Sequence, residues 1–96
     1  MKVSLSSRAK RDLSAIRKWT EERSPSGADS VEMAILSKIK RLESFPRSAK
    51  RTDEAGVRML SIVRYPYVVL YRVFDDEVII LHIRHTSRDS DDAGSL

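Results

Sequence analysis

Apolar and polar positions alternate most clearly in the second half of the chain, where three apolar runs follow one another. The runs cover residues 57–65, 67–74 and 78–85. Pro66 separates the first two, because proline cannot donate to a sheet ladder. Asp75 and Asp76 supply turn residues before the third. The middle run is rich in β-branched and aromatic residues, which are typical of strands. The pattern predicts three consecutive strands.

A helical period precedes these strands. Apolar positions recur every three or four residues from Ala9 to Thr20, which predicts a helix that ends near residue 23 and is N-capped by Ser6 or Ser7. A Ser-Pro-Ser-Gly turn follows, and a second apolar stripe predicts a helix over residues 28–44. Residues 2–5 are a further strand candidate. The short connection predicts an antiparallel helical hairpin.

The order strand, helix, helix, strand, strand, strand predicts an α+β fold in which the hairpin covers one face of a small, mainly antiparallel sheet. We expect one domain over residues 1–88 and a polar tail over residues 89–96.

Side-chain alternation then assigns the two faces of the sheet. The apolar row of the last strand is expected to face the helices: Ile79, Leu81 and Ile83. The other row is expected on the second face: Val78, Ile80, His82 and Arg84. On the middle strand the predicted core row is Tyr67, Val69, Tyr71 and Val73. The first strand is ambiguous unless a bulge resolves it. The second face mixes apolar and basic residues, which indicates either a partner or cover by the tail.

Charge narrows the classes of partner. The net charge is +4, and the last eight residues contribute three negative charges, so residues 1–88 carry +7. A domain with this charge favours contact with nucleic acid or with an acidic protein surface. The alternative is a basic surface that is only solvated.

Other features exclude several classes of protein. The chain has no cysteine, and its two histidines have no third ligand at metal-binding spacing, so we predict no disulfide, metal or other cofactor. It has no apolar run long enough to span a bilayer and no signal-peptide pattern. We therefore expect a cytoplasmic protein that does not contact membranes.

Basic residues near the end of the sheet are the candidate functional group: Arg58, Arg64, Arg84, His85 and Arg88. Arginine forks match phosphate oxygens, and a histidine beside them can move a proton near neutral pH. The same residues could instead be hot spots of a protein interface. Ordinary surface roles remain the alternative for each of them.

Five patches, in order along the chain, resemble the RelE/ParE superfamily of toxin–antitoxin toxins. They are Ala9 with Asp12-Leu13 and Ile16; Ile39, Leu42 and Pro46; Val57-Arg58 with Leu60; Tyr65-Pro66-Tyr67 with Leu70-Tyr71-Arg72-Val73; and Ile83, His85 and Arg88-Asp89. The resemblance covers the chain up to Asp89. It implies a compact toxin held inactive by a small cognate antitoxin, ParD-like or related. For antitoxin contact we single out Leu13, Trp19, Leu70 and Ile80.

The superfamily divides by target. The Tyr-Pro-Tyr segment and the His-x-x-Arg-Asp ending resemble the ParE-like branch. This resemblance implies a protein that binds and inhibits DNA gyrase and catalyses no reaction itself. RelE-like nucleases often carry a C-terminal tyrosine, whereas this chain has none after Tyr71. The alternative is a ribosome-dependent mRNA endonuclease, with Arg58 and Arg88 stabilising phosphate charge and His85 as acid or base. A second alternative is an inactive or non-toxic basic binding module.

Overall fold

The computed structural model describes residues 1–86 of the 96-residue chain. Its elements are β1 (Lys2–Leu5), α1 (Ser7–Arg23), α2 (Pro25–Arg41), β2 (Lys50–Arg51), β3 (Val57–Ile62), β4 (Tyr67–Val73) and β5 (Glu77–His85). The strands lie in the order β1-β5-β4-β3-β2, with β1 parallel to β5 and the other neighbours antiparallel. The predicted α+β fold is confirmed, and β2 is a short strand that the sequence pattern did not predict. The predicted tail lies outside the described residues.

Two serines set the ends of the helices. Ser6 is the N-cap of α1, and its Oγ accepts from the Ala9 amide at 3.0 Å. Ser24 ends α1 and begins α2: its amide donates to the Thr20 carbonyl at 2.7 Å, and its Oγ accepts from the Gly27 amide at 3.2 Å. Proline at the next position suits the first turn of a helix. The second helix therefore begins three residues earlier than predicted.

The helices are also joined by one arginine. Arg17 of α1 donates to Asp29 at 2.7 Å and to Glu32 at 2.8 Å, both on α2. The hydrogen bond with Asp29 is the main cause of a raised pKa for Arg17. A charge-assisted contact to two carboxylates fixes how the hairpin closes.

The core lies between this hairpin and one face of the sheet, here called the helix face. Buried apolar side chains come from both helices and all three longer strands: Ala9, Ile16, Val31, Ile35, Ile39, Leu42, Ile62, Tyr67, Val69, Tyr71, Val78, Ile80 and Ile83. Within residues 1–86, neither helix is long and apolar enough to cross a membrane.

The predicted core row of β4 is largely confirmed, since Tyr67, Val69 and Tyr71 are buried and Val73 packs against the core. The ambiguity of β3 is resolved by its register, which places Arg58 opposite Tyr71 and therefore on the helix face. No bulge in β3 is needed.

The face assignment of β5 was wrong for its first half. Val78 and Ile80 are fully buried on the helix face, whereas Ile79 and Leu81 are partly exposed. The cause is a β-bulge: Ile80 pairs with Tyr71 and His82 pairs with Leu70, so Leu81 is an extra residue. The insertion reverses the alternation and lets Ile83 point inward as well.

The bulge lies where β1 ends, and α1 covers the edge of β5 beyond it. Asp12 of α1 accepts from the Ile83 amide at 3.0 Å and from His82 Nδ1 at 2.6 Å. The Asp12 and His82 side chains are each about 20% exposed. The Asp12 carboxylate thus accepts the hydrogen bond that a neighbouring strand would accept from the Ile83 amide. A strand edge whose donors are satisfied does not pair with other chains.

We predict that Asp12→Ala lowers the free energy of unfolding by about 2 kcal/mol, because it removes a charged acceptor from a shielded amide and a ring N–H. Asp12→Asn, which keeps one acceptor oxygen, should recover part of the loss. Asp53→Ala is the control, since Asp53 is exposed, and should change stability by less than about 0.5 kcal/mol. Urea unfolding measures all three, and equal stability of the two alanine variants would contradict this role of Asp12.

Candidate functional site

Arg58 lies on the helix face of β3 and holds a loop in place. Its Nη1 donates to the Ala49 carbonyl at 2.8 Å and to the Arg47 carbonyl at 3.3 Å. These bonds fasten the segment between α2 and β2 to the sheet. The residue is therefore partly structural, which its basic character alone did not indicate.

His85 lies at the other end of the sheet. It pairs with Tyr67, and the two rings meet edge to face at 5.3 Å between centroids. Since Arg58 pairs with Tyr71, four positions further along β4, the two residues are separated by roughly 13 Å along the strand direction. They also lie on opposite sides of β4. One phosphate group does not span that separation.

The remaining candidates are spread further. Arg84 lies opposite Val68, on the second face of the sheet. Arg64 is exposed in the turn between β3 and β4, with its guanidinium 5.7 Å from the Tyr65 ring centroid. Arg88 lies outside the described residues. The described members of the predicted group therefore occupy two ends and two faces of the sheet, not one pocket.

Of the residues expected to contact an antitoxin, one is buried in the core. Ile80 is 0% exposed and belongs to the core, because the bulge turns it toward the helices. Leu13 is partly buried against the core. Trp19 is 37% exposed, with the Arg23 guanidinium 3.7 Å above its ring.

Leu70 lines a cavity of about 540 Å³ on the second face. Apolar side chains of Val57 and Met59 join Leu70 in this cavity, and its rim carries Lys50, Arg51 and Arg84 together with Asp53 and Glu54. A mixed apolar and basic groove of this kind fits a peptide segment better than a small polar substrate. Leu70 is therefore open to a ligand on the second face.

A second cavity, of about 480 Å³, lies on the helix face at the start of β3. Three arginines line it: Arg47, Arg51 and Arg58. Gly56 allows the tight approach of the loop, because its φ of 79° is a left-handed conformation and an added Cβ would lie 3.3 Å from an Arg72 nitrogen. Sequence reasoning missed Arg47 and Arg51, and the basic run in the loop was the signal that could have found them.

Tyr71 is fully buried beneath this region, and its hydroxyl has no hydrogen-bond partner among residues 1–86. Burial raises the pKa of Tyr71 above its ordinary value of about 10. The backbone of Ala49 and the charge of Arg58 oppose this shift, yet neither forms a hydrogen bond of normal geometry with the hydroxyl. The hydroxyl is shielded from solvent, which makes it unsuited to proton transfer.

Residues 1–86 contain no group of three His, Cys, Asp or Glu side chains that could hold a metal ion. His82 is engaged by Asp12 and lies 3.4 Å from Arg8 Nη2, so its ring is occupied by structural contacts.

Comparison with known proteins identifies the family. The family of ParE toxins of the type II toxin–antitoxin system parDE matches residues 3–90. The chain belongs to this family, within the RelE/ParE superfamily of type II toxins, which confirms the resemblance drawn from the five patches.

Two curated relatives come from Caulobacter vibrioides. Toxin RelE3 is 38% identical over 86 residues, covering 88% of this chain and 92% of that protein. Toxin RelE2 is 36% identical over 81 residues, covering 84% of this chain and 90% of that protein. The matching family is named after ParE and the two relatives are named RelE, so the names of both branches of the superfamily occur among the matches.

Two solved structures are similar as well. The chromosomal ParDE toxin–antitoxin system of P. aeruginosa matches with a TM-score of 0.82 and 26% identity over 91% of this chain and 97% of that chain. The RelBE2 toxin–antitoxin complex of Mycobacterium tuberculosis matches with a TM-score of 0.58 and 26% identity over 88% of each chain.

The buried hydroxyl of Tyr71 leads to a testable prediction. Tyr71→Phe should leave the free energy of unfolding at pH 7 unchanged within about 1 kcal/mol, because the lost hydroxyl makes no hydrogen bond. Above pH 10 the unfolded wild-type chain ionises Tyr71 while the folded protein resists ionisation, so the wild type loses stability that the variant keeps.

Thermal unfolding from pH 7 to 11 measures the difference between the two proteins, which should move in favour of Tyr71→Phe as the pH rises. A loss of more than about 2 kcal/mol at pH 7 would mean that the hydroxyl has a partner after all.

Proposed function

We propose that this protein is a ParE-like toxin that inhibits DNA gyrase by binding to it, without chemistry of its own. The observation that carries this proposal is the separation of Arg58 from His85, since a nuclease needs phosphate-binding and proton-moving groups on one substrate. The family match and the higher TM-score of the ParDE structure support the same branch.

In this proposal the basic residues form an interface with the target. Arg64 and His85 lie at the end of the sheet where the β3–β4 turn meets β5, and Thr86 donates to the Pro66 carbonyl there at 2.8 Å. Arginine and aromatic side chains are the residues that most often dominate binding energy at interfaces. Arg84 emerges on the second face beside this end.

A cognate antitoxin neutralises the toxin in this proposal, as the paired names of the similar solved structures suggest. Its contacts are the cavity around Leu70 and the exposed edge of α1 at Trp19. The partly apolar cavity offers area to bury, and its basic rim suits an acidic partner.

The second candidate function is a ribosome-dependent mRNA endonuclease. It is favoured by the names of the two Caulobacter relatives, which exceed 35% identity. In that case His85 would act as acid or base, and Arg58 would have to act elsewhere on the RNA. The two functions predict different effects. A gyrase inhibitor prevents supercoiling of plasmid DNA, whereas a ribosome-dependent nuclease cuts messenger RNA.

The deciding experiment is a supercoiling assay with purified gyrase, relaxed plasmid and ATP, titrated with the protein. We expect inhibition, accumulation of cleaved plasmid and rescue by the antitoxin. Arg64→Ala combined with Arg84→Ala should weaken inhibition by about tenfold or more, since hot-spot truncations cost about 1–2 kcal/mol each. Lys10→Ala with Lys18→Ala removes the same charge from the exposed side of α1 and should leave inhibition unchanged.

Absence of inhibition at large excess of folded protein would exclude gyrase as the target. Mapping cuts in ribosome-bound messages then tests the second function, with His85→Ala as the first variant. Cuts that vanish in His85→Ala, together with normal supercoiling, would establish the nuclease in place of the gyrase inhibitor.

A further inference from the structure

The cavity at the start of β3 contains a charge arrangement that residues 1–86 do not neutralise. In the β2–β3 pair, Arg51 lies directly opposite Arg58. Side chains of directly opposed residues share a face with Cβ atoms about 5 Å apart, and like charges in this position are destabilising. Within residues 1–86, neither arginine forms an ion pair with a carboxylate.

The surroundings add to this excess of positive charge. Arg47 lines the same cavity, and its side chain is exposed and without an ion pair in the described part of the chain. Glu54 is the acid of the lining, and it is already engaged by Arg72 at 3.3 Å. The carbonyls that accept from Arg58 satisfy one of its nitrogens but do not neutralise its charge. A cavity of about 480 Å³ with three guanidinium groups is suited to a phosphate, which each arginine can bind in a forked geometry.

A smaller basic cavity, of about 130 Å³, continues the arrangement. It is lined by Lys38 and Arg41 from the end of α2, by Ser48 and by Leu60. Leu60 follows Arg58 by two positions on the helix face of β3, and Ser48 adjoins Arg47, so the linings of the two cavities are neighbours. A row of basic sites fits a ligand with repeated negative charges better than a single small anion.

We propose that this basic edge, formed by Lys38, Arg41, Arg47, Arg51 and Arg58, binds the phosphate backbone of a nucleic acid. Each of these side chains contacts a backbone phosphate: Arg47, Arg51 and Arg58 at the larger cavity, and Lys38 and Arg41 at the smaller one. The smaller site is the weaker of the two, because the cations at the end of α2 already interact with the negative end of the helix dipole. This inference goes beyond the proposed function, since it holds whether the toxin acts on gyrase or on the ribosome.

The test is fluorescence anisotropy with two labelled probes, a 20-base-pair DNA duplex and a single-stranded RNA of 20 nucleotides, over a series of NaCl concentrations. With four to five phosphate contacts, the logarithm of the affinity for duplex should fall with the logarithm of the salt concentration with a slope of about −4. The preferred probe identifies which nucleic acid supplies the backbone.

Two double variants with equal charge change locate the site. Arg47→Gln with Arg51→Gln should reduce affinity at 100 mM NaCl by about tenfold or more and reduce the size of the slope by about 2. Lys10→Gln with Lys18→Gln, on the exposed side of α1, should change affinity by less than about twofold. Arg58 is left intact because it holds the loop.

Binding to neither probe, or equal losses in the two double variants, would overturn the proposal. The first result would point to an acidic protein surface as the ligand, and the second to diffuse attraction by net charge. Gyrase inhibition is measured separately, so a wild-type protein that inhibits gyrase but binds neither probe would overturn this site alone.

A ligand-free measurement checks the charge argument itself. Arg51→Gln should raise the melting temperature in 20 mM NaCl, because it relieves the repulsion from Arg58, and the gain should shrink in 500 mM NaCl, where exposed charges are screened. A lower melting temperature for Arg51→Gln in 20 mM NaCl would show that Arg51 is already neutralised within the chain and would remove the basis of the site.

Discussion

The extra residue in β5 determines which side chains build the core of this toxin. Strand side chains alternate between faces, so inserting one residue exchanges the faces of everything beyond it. With Leu81 inserted, Val78 and Ile80 point toward the helices on one side of the bulge and Ile83 on the other. The bulge also lies where β1 gives way to α1, and the Ser6 hydroxyl donates to the Leu81 carbonyl there at 3.0 Å. Core formation and edge protection therefore depend on one local irregularity.

This irregularity explains which parts of the fold could be predicted. The helices and β4 show a clear period, so their positions and the inward row of β4 follow from the sequence. Residues 78–81 are Val-Ile-Ile-Leu, a run in which both faces look equally apolar, so alternation contains no information about orientation. The strand β2 has only two residues and no period at all. Only the pairing of β5 with β4 and the contacts of α1 reveal the register.

The sequence indicates the residue types of the candidate group but not how these residues are arranged in space. Arg84, His85 and Arg88 are close in sequence, which suggested a cluster, but neighbouring residues on a strand point to opposite faces. Arg58 was identified from its charge, whereas its bonds to the loop carbonyls depend on a segment that joins α2 to β2. Nothing in the sequence distinguishes Arg47 and Arg51 from ordinary basic loop residues, which are usually solvated. The short strand that places Arg51 opposite Arg58 is what distinguishes it from such residues.

The pairing of two arginines across β2 and β3 also affects the stability of this small domain. A domain of this size is stabilised by about 5–15 kcal/mol, and cross-strand pairs contribute about 0.2–1 kcal/mol each, so this repulsion is a small but avoidable cost. A glutamate at either position would relieve it and form a cross-strand ion pair. Unfavourable local arrangements, such as two like charges on opposed strand positions, occur mainly at functional sites. Ligand binding can offset their cost there. A polyanion along the basic edge would convert the repulsion into binding energy and would stabilise the loop that Arg58 fastens to the sheet.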